Sequence, residues 1–231
     1  VAPRVRLGAP VTSLVPDAGG YAATWEQDGR TESTRAAHVV LALPSPQVAR
    51  LVSPFAPALA TELGALALGS AAAVTMAFRQ SDLPRPLDAY GFVVPAVERR
   101  SVMACTYSSA KWDGRAPDDA ALLRVFFGGN SQPTIHLESD DRLLAFARAA
   151  LRELVGIHAS PGLVRVDRYV NAMPRYHVGH LQRVTRIEGH VAAQPGLSLV
   201  GGAYRGVGMP DVVASAEAAV RLALGHIGTP D

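Results

Sequence analysis

The residues best suited to hold a ligand lie in one stretch, Leu197-Ser198-Leu199-Val200-Gly201-Gly202-Ala203-Tyr204-Arg205-Gly206-Val207-Gly208-Met209-Pro210-Asp211. It reads as a buried strand, a turn with four glycines, and a helix carrying Pro210 near its first position. Glycine lets a backbone come close to a bound group, and unpaired N–H groups at a helix start attract phosphate or electron-rich oxygen. Gly206-Val207-Gly208 lacks the third glycine of the dinucleotide fingerprint and stands near the end of the chain. Spacing alone fits either a ligand-binding turn or a plain tight connection between strand and helix.

A second stretch, Asn171-Ala172-Met173-Pro174-Arg175-Tyr176-His177-Val178-Gly179-His180, places two histidines at a spacing that metal sites use. No acid or cysteine nearby supplies a third ligand, so hydrogen-bonding histidines are the expectation and no metal site is assigned. No G-x-S-x-G elbow occurs, which leaves Ser70, Ser108 and Ser109 as turn residues and no catalytic side chain to name. The third feature is a pair of strand ends, Tyr90-Gly91-Phe92-Val93-Val94-Pro95 and Val125-Phe126-Phe127-Gly128-Gly129. Aromatic and aliphatic side chains beside glycine suit either a wide apolar pocket or ordinary sheet core.

Hydrophobic periodicity supplies the elements that must carry these residues. Alternation through Val5, Leu7, Val11 and Leu14 predicts a bent strand, and Tyr21 to Trp25 returns as a hairpin arm after Asp17-Ala18-Gly19-Gly20. Residues 38–43 are nearly all apolar, as in a strand buried on both faces, and Pro44 stops them. Helices are expected at 46–52 and 56–68, then strands at 71–78, 92–94, 101–107 and 122–127. Ser139 caps a helix with Asp140 and Asp141 in its first turn, where Leu143, Leu144, Ala147, Ala150, Leu151 and Leu154 share a face up to Gly156. A strand at 163–170, a helix at 179–190, a short buried strand at 197–200 and a closing helix at 212–224 complete a mixed α/β arrangement without regular βα alternation.

Composition narrows the partners. The chain has 231 residues, 48% hydrophobic and 18% charged, enough to build a sizeable core. Lys+Arg number 22 against 20 for Asp+Glu, and Arg99-Arg100 is the only basic doublet, so no nucleic-acid stripe exists. One cysteine, Cys105, excludes an intrachain disulfide and points to a reducing compartment. No apolar run reaches the ~18 residues of a membrane span. Val1-Ala2-Pro3-Arg4 does not look like a signal peptide, and an opening without Met suggests a piece of something longer.

Together these features resemble the protoporphyrinogen/coproporphyrinogen oxidases. Leu199 to Asp211, with Ser215 and Ala218-Ala219, is similar to the family's C-terminal flavin motif, and Met173-Pro174-Arg175-Tyr176-His177-Val178-Gly179-His180 fits its M/I-P-x-Y-x-x-G-H segment. Gly91 to Pro95, Thr106-Tyr107-Ser108-Ser109 and Phe127-Gly128-Gly129 fall in the same order, so the likeness runs from Val11 to Leu224. It implies the C-terminal half of an FAD-linked, amine-oxidase-like α/β fold. Residues 1–52 and 171–231 would be parts of the FAD-binding domain and 53–170 the substrate-binding domain.

By position, the resemblance puts Val11 on the adenine side of FAD. Gly202, Val207, Gly208 and Met209 would lie along the flavin and its ribityl chain, and Tyr90, Val93 and Phe126 against the tetrapyrrole. Leu181 replaces an aromatic of some relatives, so no flavin contact is assigned there. The implied reaction is flavin-mediated oxidation of a porphyrinogen to a porphyrin in heme biosynthesis, on coproporphyrinogen III or protoporphyrinogen IX, with molecular oxygen as acceptor. The cofactor would carry the difficult chemistry, consistent with the lack of an acid/base dyad. A cytoplasmic protein is implied, with peripheral membrane association and a homodimer left open. Two competitors stay in play: another oxidase or desaturase of the superfamily, and a tetrapyrrole-binding module without redox activity.

Overall fold

The computed structural model describes residues 5–129 and 132–228, so the Val1-Ala2-Pro3-Arg4 start lies outside the described residues. The chain divides into two compact units, Val1–Ala67 with Pro174–Asp231, and Leu68–Met173.

The first unit opens on an antiparallel meander of β1 (Val11–Asp17), β2 (Gly20–Gln27) and β3 (Arg30–Ala36). Asp28 and Gly29 take φ of 51° and 73°, the pair of left-handed residues that a tight hairpin turn requires. Val5 and Leu7 precede β1 and are exposed, so the expected bent strand begins only at Val11. Strand β3 was not expected. Its sequence, Arg-Thr-Glu-Ser-Thr-Arg-Ala, buries neither face and is held by its ladder to β2.

β4 (Val39–Leu41) then pairs in parallel with β10 (Leu197–Leu199). Leu41 is buried, whereas Val40 is 40% exposed, so this strand is not covered on both faces as its composition suggested. Helices α1 (Ser45–Val52), α2 (Pro57–Gly64), α5 (His180–Ala192) and α6 (Met209–Ile227) complete the unit. Leu14, Tyr21, Val48, Val52, Leu59, Leu63, Val184 and Ile187 meet in its core. Because Leu59 and Leu63 of α2 belong to that core, the chain leaves this unit after Ala67, not after residue 52.

The second unit is a five-stranded sheet in the order β6-β7-β8-β5-β9, from β5 (Leu68–Arg79), β6 (Gly91–Val93), β7 (Ala104–Tyr107), β8 (Ala120–Gly128) and β9 (Leu163–Pro174). Helix α4 (Asp140–Val155) buries Leu143, Ala147, Ala150, Leu151 and Val155 in a core with Val74, Met76, Leu123, Val125 and Phe127, while Leu154 stays partly exposed. Ser139 accepts the Arg142 N–H at its start, and Gly156 closes it at φ 80°. The serines expected in turns have other places. Ser70 lies within β5 and accepts the Asn171 N–H at 2.9 Å; Ser108 and Ser109 form the short helix α3 (Ser108–Lys111), where Ser109 accepts the Leu122 N–H at 3.0 Å.

Candidate functional site

After β10 the chain turns through residues 200–208 into α6, and its glycines answer to different constraints. Gly201 takes φ 128°, a conformation that only glycine adopts freely. Gly208 is the N-cap of α6 at φ −66° and ψ 147°, open to any residue, yet a Cβ there would stand 2.9 Å from Asp211 Oδ2. A Cβ at Gly206 would collide with the same carboxylate. Asp211 lies in the first turn of α6, where the helix dipole favours an anion, and the small residues make room for it. A Cβ at Gly202 would meet Val207 Cα at 3.4 Å, ordinary contact.

Val207 and Met209 are 62% and 78% exposed on either side of Gly208. Among the described residues, the N–H groups of Val207, Gly208 and Met209 donate to no backbone acceptor. Free donors at a helix start, flanked by apolar side chains, fit the oxygen-rich edge of a flavin ring. Val11, the first residue of β1 and partner of Trp25, is 38% exposed and belongs to the same unit. No described hydrogen bond joins it to the turn.

The turn is tied to α5 and to the segment that leads into it. The Tyr176 hydroxyl donates to the Gly202 carbonyl at 2.7 Å, and His180 Nε2 donates to the Tyr204 carbonyl at 2.7 Å. A carbonyl can only accept, so Nε2 carries the proton. The two rings stack with centroids 3.9 Å apart and planes within 13°. Burial, with the Asp211 charge second, raises the Tyr176 pKa and keeps the phenol a donor. Arg205 forks onto Glu188 of α5, with Nε 2.7 Å from Oε1. His180 is thus a hydrogen-bonding histidine, as its surroundings in sequence predicted.

Along β10 lies a cavity of about 570 Å³, walled by Ile187, Val191, Leu199 and Leu222. His38 and Ser198 line it with Nε2 and Oγ 2.9 Å apart. Burial first, then the charge of His226, lowers the His38 pKa. The hydroxyl of Tyr204, another lining residue, is buried without a partner among the described residues, and its pKa is pushed up by burial.

In the second unit the ladder aligns Val93 with Ala104 and Ala104 with Phe126, and Phe126 with Ala73 of β5. Directly opposed residues share a face, so Val93 and Phe126 lie on the side of the sheet away from Leu123, Val125 and Phe127. Thr75, Thr106 and Arg124 occupy the neighbouring row on that side. Arg124 touches the Tyr169 hydroxyl and lies 3.8 Å from Asp167. Tyr90 stands one residue before β6, 69% exposed, its carbonyl accepting the Tyr107 N–H at 3.0 Å; that places it opposite Tyr107, a residue of the core face, so the ladder does not bring it into the row of Val93 and Phe126. Sequence reasoning did not single out Arg124, Tyr169 or Asp167. The signal for Arg124 was present, since strand alternation puts residues 124 and 126 on one face.

A parallel strand leading through a glycine-rich turn into a helix, with a separate sheet unit, has the architecture of FAD-linked oxidoreductases. The chain belongs to the flavin containing amine oxidoreductase family, whose pattern matches residues 3–224. FAD is accordingly its cofactor. The chain is 36% identical over 191 residues to the coproporphyrinogen III oxidase of Propionibacterium freudenreichii subsp. freudenreichii, covering 82% of this chain and 35% of that protein. It is 28% identical over 229 residues to the protoporphyrinogen oxidase of Bos taurus, covering 96% and 46%. Among solved structures, a protein from Exiguobacterium sp. 255-15 provisionally described as a protoporphyrinogen oxidase superposes with a TM-score of 0.76 at 35% identity, covering 96% of this chain and 47% of that one. The chain therefore spans between about a third and a half of the length of these relatives.

Proposed function

We propose that this chain is part of an FAD-dependent oxidase that converts a porphyrinogen to a porphyrin in heme biosynthesis, with coproporphyrinogen III as substrate and molecular oxygen as acceptor. The observation that carries it is the sheet face of the second unit that lies away from its core. Val93, Ala104 and Phe126 form one row, and the Arg124 guanidinium stands in the next. An apolar platform beside a cation suits a puckered, uncharged ring system with carboxylate side chains. Both the P. freudenreichii and the bovine relatives are named for porphyrinogen oxidation.

In this proposal Gly202, Val207, Gly208 and Met209 line the flavin, their free N–H groups meeting its polar edge, with Val11 toward the adenine. FAD, when bound, supplies the electron-accepting chemistry. The protein orients the macrocycle: Val93 and Phe126 bury its apolar surface and exclude water, while Arg124 holds a carboxylate by charge-assisted hydrogen bonds. The exposed apolar residues of α6 (Val213, Val220, Leu222, Leu224) and Val40 of β4 are surface that the rest of a longer protein would cover. This chain alone is then inactive.

The test is the complete protein purified with its cofactor and given coproporphyrinogen III or protoporphyrinogen IX, with porphyrin fluorescence followed against an autoxidation control. A faster rise with coproporphyrinogen supports the assignment, and preference for protoporphyrinogen moves the substrate to the other member of the pair. A colourless protein that binds porphyrin without forming it would instead identify a tetrapyrrole-binding module.

A further inference from the structure

We infer that Tyr176 and His180 are positioning residues that set the geometry of the turn between β10 and α6 for the flavin. The inference rests on the reading that this turn holds the cofactor. Between Gly201 and Gly208 the turn makes no ladder, so side chains must fix its path. Two backbone carbonyls in it, Gly202 and Tyr204, are each held at 2.7 Å, one by the Tyr176 phenol and one by His180 Nε2. The donors come from one short segment and stack face to face, so neither ring can rotate without disturbing the other.

Two further contacts confine the same turn. Arg205 is forked onto Glu188, eight residues along α5 from His180, and the Asp211 carboxylate packs against Gly206 and Gly208 from the helix side. Anchored by its carbonyls and crowded from α6, the turn presents at the helix start the N–H groups of Val207, Gly208 and Met209, which donate to no backbone acceptor among the described residues. Packing alone does not explain Tyr176, because it is 43% exposed. A residue kept for core volume would be buried; one kept for its hydroxyl needs only reach Gly202.

Tyr176→Phe removes the donor and keeps the ring, and the partly exposed Gly202 can take water instead. In the complete flavoprotein, the FAD dissociation constant should rise about threefold to tenfold, the loss expected for one hydrogen bond. The flavin visible band should shift with it. His180→Gln keeps an N–H donor and should bind FAD better than His180→Ala. Double substitution with Tyr176→Phe and His180→Ala should cost less than the product of the single effects, since the two rings act as a unit. Far-UV circular dichroism of the apoproteins separates loss of fold from loss of cofactor. Unchanged FAD affinity and spectrum in both Tyr176→Phe and His180→Ala would overturn the positioning role while leaving the flavin reading intact. A wild-type protein that binds no FAD would overturn both.

Discussion

The guanidinium of Arg124 lies 5.3 Å from the centre of the Phe126 ring, two residues along β8 on the same side of the sheet. The intervening Val125 is fully buried on the opposite side. One strand thereby offers a cation and an aromatic surface together, and the Tyr169 ring approaches the same guanidinium at 5.7 Å.

Substitutions on this face should separate substrate from cofactor. Under the proposed function, Phe126→Ala in the complete enzyme would remove apolar contact with the macrocycle, and Arg124→Gln the charge opposite its carboxylate. Both should raise KM, Arg124→Gln by about tenfold or more for a lost charge-assisted hydrogen bond, with flavin content unchanged. Steady-state kinetics and flavin absorbance decide it. Normal KM in both variants would return these residues to sheet packing.

At the turn, the cost of a side chain should appear in cofactor binding. Gly208→Val pushes the Asp211 carboxylate aside at the helix start and narrows the approach to the free N–H groups, yet its backbone angles suit any residue. Flavin stoichiometry should fall well before thermal stability does. A variant that keeps full FAD and loses only stability would make the turn structural.

Glu62 accepts Arg183 Nη1 at 2.7 Å and Arg186 Nε at 2.7 Å, tying α2 to α5. The Arg186 hydrogen bond, against the opposing effect of burial, holds its carboxyl below the usual carboxylate range. A depressed pKa stabilises the fold at every pH above the ordinary carboxylate value, and that contribution disappears as pH falls through the folded-state value. Glu62→Gln should therefore lower Tm at neutral pH, and the difference from wild type should shrink in acid. A gap that persists in strong acid would assign the effect to packing.

Cys105 is 2% exposed in β7, and burial pushes its thiol up to about 12. At pH 8 it should react with an aromatic disulfide reagent only on the timescale of unfolding, and at once in denaturant. Fast labelling of the native protein would show that β7 opens locally.

Local rules made some elements legible and left others hidden. Helix α4 could be read from Ser139, the two aspartates after it and Gly156, because capping chemistry is written in neighbouring residues. Strand β3 could not, since Arg30 to Ala36 has no apolar face and exists through its ladder to Tyr21–Gln27. The apolar run at 38–43 suggested a strand enclosed on both sides, but burial depends on neighbours: among the described residues β4 pairs only with β10, and Val40 is 40% exposed. Of the turn, the glycines were visible and their separate causes were not, because Asp211 comes against Gly206 and Gly208 only after α6 begins. Tyr176 and Gly202 stand 26 residues apart, and no periodicity reports a hydrogen bond across that distance.

The most direct test of the central claim is rapid anaerobic mixing of the complete FAD-loaded protein with coproporphyrinogen III. Loss of the oxidised flavin absorbance on mixing, followed by its return and the appearance of porphyrin fluorescence when oxygen is admitted, is the predicted result. A flavin that stays oxidised in the presence of coproporphyrinogen III and protoporphyrinogen IX, yet is reduced by an amine, would contradict porphyrinogen oxidation and assign the protein to another chemistry of its family.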